Sequence, residues 1–254
     1  MILLLSAALA ASPSVSGSYD VAVDLSLSRP YLVPARANQE ARVTELRVAL
    51  RADCAGAGPV TCSLHGVTLE GEPYNERADK LAAVLDEAAT DLSAATVTLE
   101  FDHGRLAGLK LDGVPRPDRR QSRRAELLRQ VLLRAFAGFD LQAGEGAEWT
   151  QTSSALLDYP DPSGTVHTGQ LVQTRDEAGV FTRGEASLRP TPNDDVFAAD
   201  SWFTGVVEAT ATFAGDRLTS RTWKVTMDPT PSGIPTSLGP LDPYGQTGSI
   251  RAVD

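Results

Sequence analysis

Between Tyr19 and Ser28 the chain alternates Tyr19, Val21, Val23, Leu25 and Leu27 with Asp20, Ala22, Asp24, Ser26 and Ser28. A period of two marks a strand with one face buried and the other wet. The same rhythm returns at Leu46, Val48 and Leu50, with Glu45, Arg47 and Arg51 on the opposite face, and again at Val97, Leu99 and Phe101. Between these lie Leu64, Val67 and Leu69, where Gly66 interrupts the alternation and predicts a bulge. A chain patterned this way must bury one face of a largely antiparallel sheet.

The period changes in two places only. After Pro73, the residues Leu81, Val84, Leu85, Ala88 and Leu92 fall at helical spacing, with Asn75 as the expected N-cap. After Pro117, a second helix presents Leu127, Leu128, Val131, Leu132, Ala135, Phe136 and Phe139, and Gly138 loosens its last turn. Asp102-His103-Gly104-Arg105 reads as a hairpin turn between them. Segments 149–157, 165–174, 179–188, 202–213 and 216–227 read as a meander, broken by turns such as Asp161-Pro162-Ser163-Gly164 and Ala214-Gly215-Asp216. From Asp228 onward Pro and Gly dominate, and a tail that packs irregularly or not at all is expected.

About ten strands and two helices predict an α+β architecture that is mainly antiparallel β. The sheet must curl or split, giving a curved sheet, an open half-barrel or a sandwich, with the two amphipathic helices packed on one face. This element order is similar to that of the open-barrel lipid and lipoprotein carriers of the bacterial envelope, in which helices cap the concave face of a curved sheet. The expected division is a signal peptide over 1–10, one β-rich domain over 11–227 and the Pro/Gly-rich tail over 228–254.

Ile2 to Ala10 is an apolar run ending in Ala8-Leu9-Ala10, the small-x-small pattern of a signal-peptidase site, although its n-region is Met1 alone. Cys54 and Cys62, the only cysteines, flank a Gly/Pro turn, so a disulfide is expected there. Both features point to export, periplasmic or extracellular. No Cys follows the apolar run, which disfavours a lipid anchor, and no stretch reaches the length of a transmembrane span.

A net charge of -10 and a pI near 4.8 disfavour a nucleic-acid binder, which needs clustered positive charge. Against that background one segment stands out: Arg116, Arg119, Arg120, Arg123, Arg124, Arg129 and Arg134 face only Asp118 and Glu126. Positive charge at a helix start opposes the macrodipole, so the helix did not require it. The first five are candidates for contact with an anion or membrane surface. The plain alternative is a core-packed helix with solvated arginines.

No chemistry of a known template is visible. His65, His103 and His167 have no ligand at a metal-binding spacing, and neither a Gly-x-Ser-x-Gly elbow nor a phosphate-cradling glycine loop occurs. Asp158, Asp161, Asn193, Asp194 and Asp195 offer oxygen ligands, but turn chemistry accounts for them and the calcium-loop spacing is absent. No cofactor or metal is therefore expected. Trp149, Trp202 and Trp223, with Phe136 and Phe139, are core anchors by default and a candidate apolar pocket otherwise.

These readings converge on a non-catalytic exported envelope protein binding a lipid or other apolar ligand in a curved-sheet cavity. A protein-protein or structural module, with an envelope protein as partner, is the alternative within that class. An unrecognised hydrolase using carboxylates from separate strands is the alternative outside it.

Overall fold

The computed structural model describes residues 14–34, 40–74, 77–114, 119–142, 144, 146–151, 154–156, 166–189, 203–230 and 243–253. Side chains are described for all of these except 27–34, 40–42, 119–127, 166–168 and 186–189. The N-terminal half runs β1 (Gly17–Pro34), β2 (Glu40–Ala55), β3 (Val60–Pro73), α1 (Ala78–Ser93), β4 (Thr96–Asp102) and β5 (Arg105–Asp112). Then come α2 (Arg119–Phe136) and a 3-10 turn (Ala137–Phe139). The second half is β6 (Glu148–Gln151), β7 (Val166–Arg175), β8 (Val180–Arg189), β9 (Phe203–Ala214), β10 (Arg217–Pro229) and β11 (Tyr244–Val253).

All eleven strands join one open sheet in the order β5-β4-β3-β2-β1-β11-β10-β9-β8-β7-β6, every neighbour antiparallel. The fold is thus mostly antiparallel β with two helices, in a single sheet and not two packed ones. Neither described helix is long and apolar enough to cross a membrane.

One expectation is overturned. Within 228–254, the stretch Tyr244–Val253 is no loose tail but lies in the middle of the sheet, paired with β1 on one side and β10 on the other. Its glycines are tolerated because Gly248 lies against the Trp223 indole, where an added Cβ would collide. What composition marks as weak is a close-approach site.

The period-two residues behave as their spacing requires. Tyr19, Val21, Val23 and Leu25 are buried while Asp20, Ala22, Asp24 and Ser26 are exposed. Gly66, with a φ of 56°, sits where Gly66 and Val67 of β3 face only Leu50 of β2, so the bulge returns Val67 and Leu69 to the buried side. Just beyond, Cys54 and Cys62 pair directly across β2 and β3, their Cα atoms 4.0 Å apart and their sulfurs bonded.

Helix α1 buries Leu81, Val84, Leu85, Ala88 and Leu92 and packs chiefly on β3. It begins at Ala78 with Arg77 in the cap position and no side-chain cap, two residues later than an Asn75 cap requires; Asn75 itself lies outside the described residues. Helix α2 packs mainly on β1 and also touches β5 and β2, with Leu128, Val131, Leu132, Ala135 and Phe136 buried. Its C-terminal rings form the centre of the core: Phe139 meets Tyr19 edge-on at 5.1 Å and stacks on Phe136 at 5.5 Å between centroids.

The connection from β5 to β6 spans the whole sheet, from one edge strand to the other. Asp140 shows how far the sheet curls to allow it. Its Oδ1 accepts the Leu106 amide of β5 at 2.8 Å, and its Oδ2 accepts the Gln151 amide of β6 at 3.4 Å. Both free edges lie within reach of one carboxylate, so the sheet is strongly curved.

Candidate functional site

The buried side of the sheet is apolar through β1 to β5 and changes character in the second half. Gln173 of β7, Thr182 of β8, Arg221 of β10 and Gln246 of β11 are all buried on it, among Leu171, Val207, Trp223, Val225 and Ile250. Buried polar side chains need partners, and Gln173, Arg221 and Gln246 find them in the chain that follows α2.

Arg221 Nη1 donates to the carbonyl of Gly138 at 2.9 Å and to that of Asp140 at 2.5 Å. Burial lowers the Arg221 guanidinium to about 10, with the Asp140 charge acting in the opposite direction, so it remains a cation at neutral pH. The Asp140 carboxylate, 1% exposed, also accepts the Ser154 hydroxyl at 2.6 Å and the Ala155 amide at 2.8 Å. Gln151 Oε1 in turn accepts from the Gln173 amide. One node thereby ties β5, β6, β7 and β10 to the crossing segment.

Of the five aromatic residues expected to line a pocket, the structure brings three together. Phe136, Phe139 and Trp223 are buried around Gly138, whose Cα lies so close to Trp223 and Ile250 that a Cβ would collide with both. Trp149 makes its contacts at the β6–β7 edge, where its ring lies 4.9 Å from the Arg175 guanidinium and over Gly144. Trp202 lies outside the described residues.

Arg119, Arg120, Arg123 and Arg124 occupy the first turns of α2, with side chains outside the described residues, as is all of Arg116. The acidic loops at 158–163 and 193–195 also lie outside them. His65 rests 3.2 Å from Asp53 and His103 rests 3.7 Å from Asp102, both exposed. Among the described residues no group of three or more His, Cys, Asp or Glu is arranged to hold a metal ion.

Two grooves of about 550 and 780 Å³ cross the polar side of the sheet over β1, β2, β3, β10 and β11. The first carries Asp24, Glu45, Arg47, Glu70, Glu72 and Lys224, the second Asp20, Arg51, His65 and Arg251. Arg47 bonds Asp24 at 2.5 Å and Arg51 bonds Asp20 at 3.1 Å, ladders of exposed pairs worth little each. None of the expected aromatic or arginine residues lines either groove.

Sequence reasoning missed Asp140 and Arg221. The signal for Arg221 is its register: Arg221, Trp223, Val225 and Met227 alternate, which puts a guanidinium on the buried face of β10. Asp140 had the weaker signal of directly following the last apolar residue of the α2 face.

No protein-family model matches this chain, and no curated protein matches it. Among solved structures, one described as "lipid-protein interactions in lipovitellin" aligns over 95% of this chain at a TM-score of 0.58 and 9% identity. The two share a fold. The chain spans 25% of the length of that lipovitellin chain, so the likeness concerns one part of it.

Proposed function

We propose that this chain is an exported, non-catalytic protein that binds an apolar ligand, a lipid in the sharpest version, against the inner face of its curved sheet. The inner face itself carries the reading: it is continuous across the sheet and apolar over its first half. Both helices touch β1 and β2, whose buried side chains alternate to one side, so they are read as covering the concave face. A fold held in common with a structure described by its lipid-protein interactions supports the same ligand class. The Cys54–Cys62 bond suits an oxidising compartment, and the leader at 1–10 that would direct export lies outside the described residues.

The hydrolase alternative has less support. Of the buried carboxylates Asp91 and Asp140, Asp140 has both oxygens taken by donors, which gives it a structural role and not that of a base. The carboxylates of the first groove are exposed, and two of them, Asp24 and Glu70, share Arg47.

Native mass spectrometry of the chain purified from a bacterial periplasm tests the proposal. A co-purifying lipid, released by organic extraction and replaced on adding lipid back, is the expected result. A mass equal to the bare chain, with no uptake on addition, overturns it. Arg116, Arg119, Arg120, Arg123 and Arg124 are proposed to draw anionic headgroups toward the α2 start. Co-sedimentation with anionic vesicles should then weaken with salt, since exposed charges are screened beyond about 8 Å at physiological ionic strength. Changing Arg119, Arg120, Arg123 and Arg124 to Gln should remove that dependence.

A protein-docking module is favoured by one observation. Val172, Phe181 and Val206, three of the exposed large apolar side chains, lie on the solvent side of the adjacent strands β7, β8 and β9. Phe181→Ser with Val206→Ser should then abolish a stable protein complex without touching lipid content.

A further inference from the structure

Arg221 and Trp223 of β10 and Gln246 of β11 are 2%, 3% and 2% exposed. Each keeps one polar atom without a partner among the described residues: Arg221 Nε, Trp223 Nε1 and Gln246 Oε1. Trp223 lies opposite Gly248 and Val225 opposite Gln246, so the three side chains form one patch across two adjacent central strands. Native cores rarely leave buried polar atoms single, and two donors with an acceptor in one patch ask for a ligand.

What now covers the patch is backbone. Arg221 faces two neutral carbonyls, Gly138 and Asp140, while the Asp140 carboxylate is turned to Leu106, Ser154 and Ala155. A buried guanidinium gains more from an anion, which forms charge-assisted and bidentate hydrogen bonds, than from carbonyl oxygens. Next along the same face run Val225 and Met227, buried and apolar, where a hydrocarbon chain would lie.

Resting on the lipid-binding reading, we propose that Arg221 and Trp223 form the headgroup site for an anionic amphiphile, carboxylate or phosphate, and that the backbone carbonyls of Gly138 and Asp140 occupy this site as a displaceable self-ligand. The amphiphile's head replaces the carbonyls on Arg221 and takes the Trp223 N–H. Its tail runs along Val225 and Met227. The observed affinity then equals the intrinsic affinity reduced by the fraction of molecules in which the segment has moved away.

The test uses the full chain, stripped of bound lipid, with cis-parinaric acid and the parinaryl alcohol of identical tail as fluorescent probes. The acid should bind at least about tenfold tighter, the worth of one charge-assisted bond. Palmitate and a lysophosphatidate, used as competitors, show whether the carboxylate or the phosphate is preferred. Arg221→Gln should bring the acid-to-alcohol ratio close to one while alcohol binding persists. Gly138→Ala, whose methyl group pushes the segment off Trp223 and Ile250, should lower the melting temperature of the free chain yet tighten acid binding. A merely structural contact would weaken both, and that result overturns the self-ligand even where Arg221→Gln does not fold. Equal binding of acid and alcohol by the unmodified chain overturns the headgroup site and leaves the apolar-ligand reading standing. Binding of neither probe overturns both.

Discussion

Asp140 accepts four hydrogen bonds, from the Leu106 and Ala155 backbone amides, the Ser154 hydroxyl and the Gln151 side-chain amide. It is also the negative charge that acts on buried Arg221. Asp140→Ala therefore leaves several buried donors and a buried cation uncompensated, a loss of roughly 3–5 kcal/mol. The melting temperature should fall by roughly 10 °C, read by circular dichroism. Tyr19 reports on pH. Burial pushes its hydroxyl above the ordinary value of 10.0, against the hydrogen bond and charge of Arg217. Its protonated form is thus favoured in the fold. That contribution is complete below about pH 10, where the unfolded tyrosine ionises, and is lost as pH climbs through the folded value. Tyr19→Phe should lose less stability than the parent between pH 9 and 11 in urea titrations. An unchanged pH slope would remove Tyr19 as the cause.

Among the elements, α2 joins two opposed tendencies. Its arginine-rich start works against the helix dipole, while its far end carries Phe136, fully buried against Phe139. Phe136→Asp places an unpaired charge in the core and should cost more than about 4 kcal/mol. Arg120→Glu, in the first turn, replaces an unfavourable charge with a favourable one and should stabilise by about 0.3–1 kcal/mol. Opposite shifts in thermal unfolding are expected from the two variants. Shifts of the same sign would mean that α2 is not held by its C-terminal face. The strands follow simpler rules, since each hairpin joins neighbours in the chain and the alternation of each strand sets its register.

At the scale of the whole molecule, the strand pairing of two five-stranded meanders, β1–β5 and β6–β10, is joined through β11. Ser18 pairs with Val253 and Ser220 with Arg251, so the last strand supplies hydrogen bonds to both halves at once. Deleting residues 230–254 should leave two unpaired central edges and abolish the cooperative unfolding transition. Loss of near-ultraviolet circular dichroism would accompany it. A truncated chain that melts cooperatively at the parent temperature would show that β11 is dispensable.

Much of the local structure was legible in the chain. Strands β1 to β5, the apolar faces of α1 and α2, the Gly66 bulge and the hairpin at His103-Gly104 each follow from the spacing of neighbouring residues, because side-chain direction has a fixed period in each backbone conformation. Strand β11 was not legible, since its glycines read as tail until Trp223 is placed against Gly248. Nor was the Asp140–Arg221 node, whose members stand 81 residues apart. Composition and periodicity determined which backbone forms where and which face turns inward. Only tertiary structure decided that the two sheet edges converge on one carboxylate, because strand order and curvature depend on contacts between distant segments that no local period encodes.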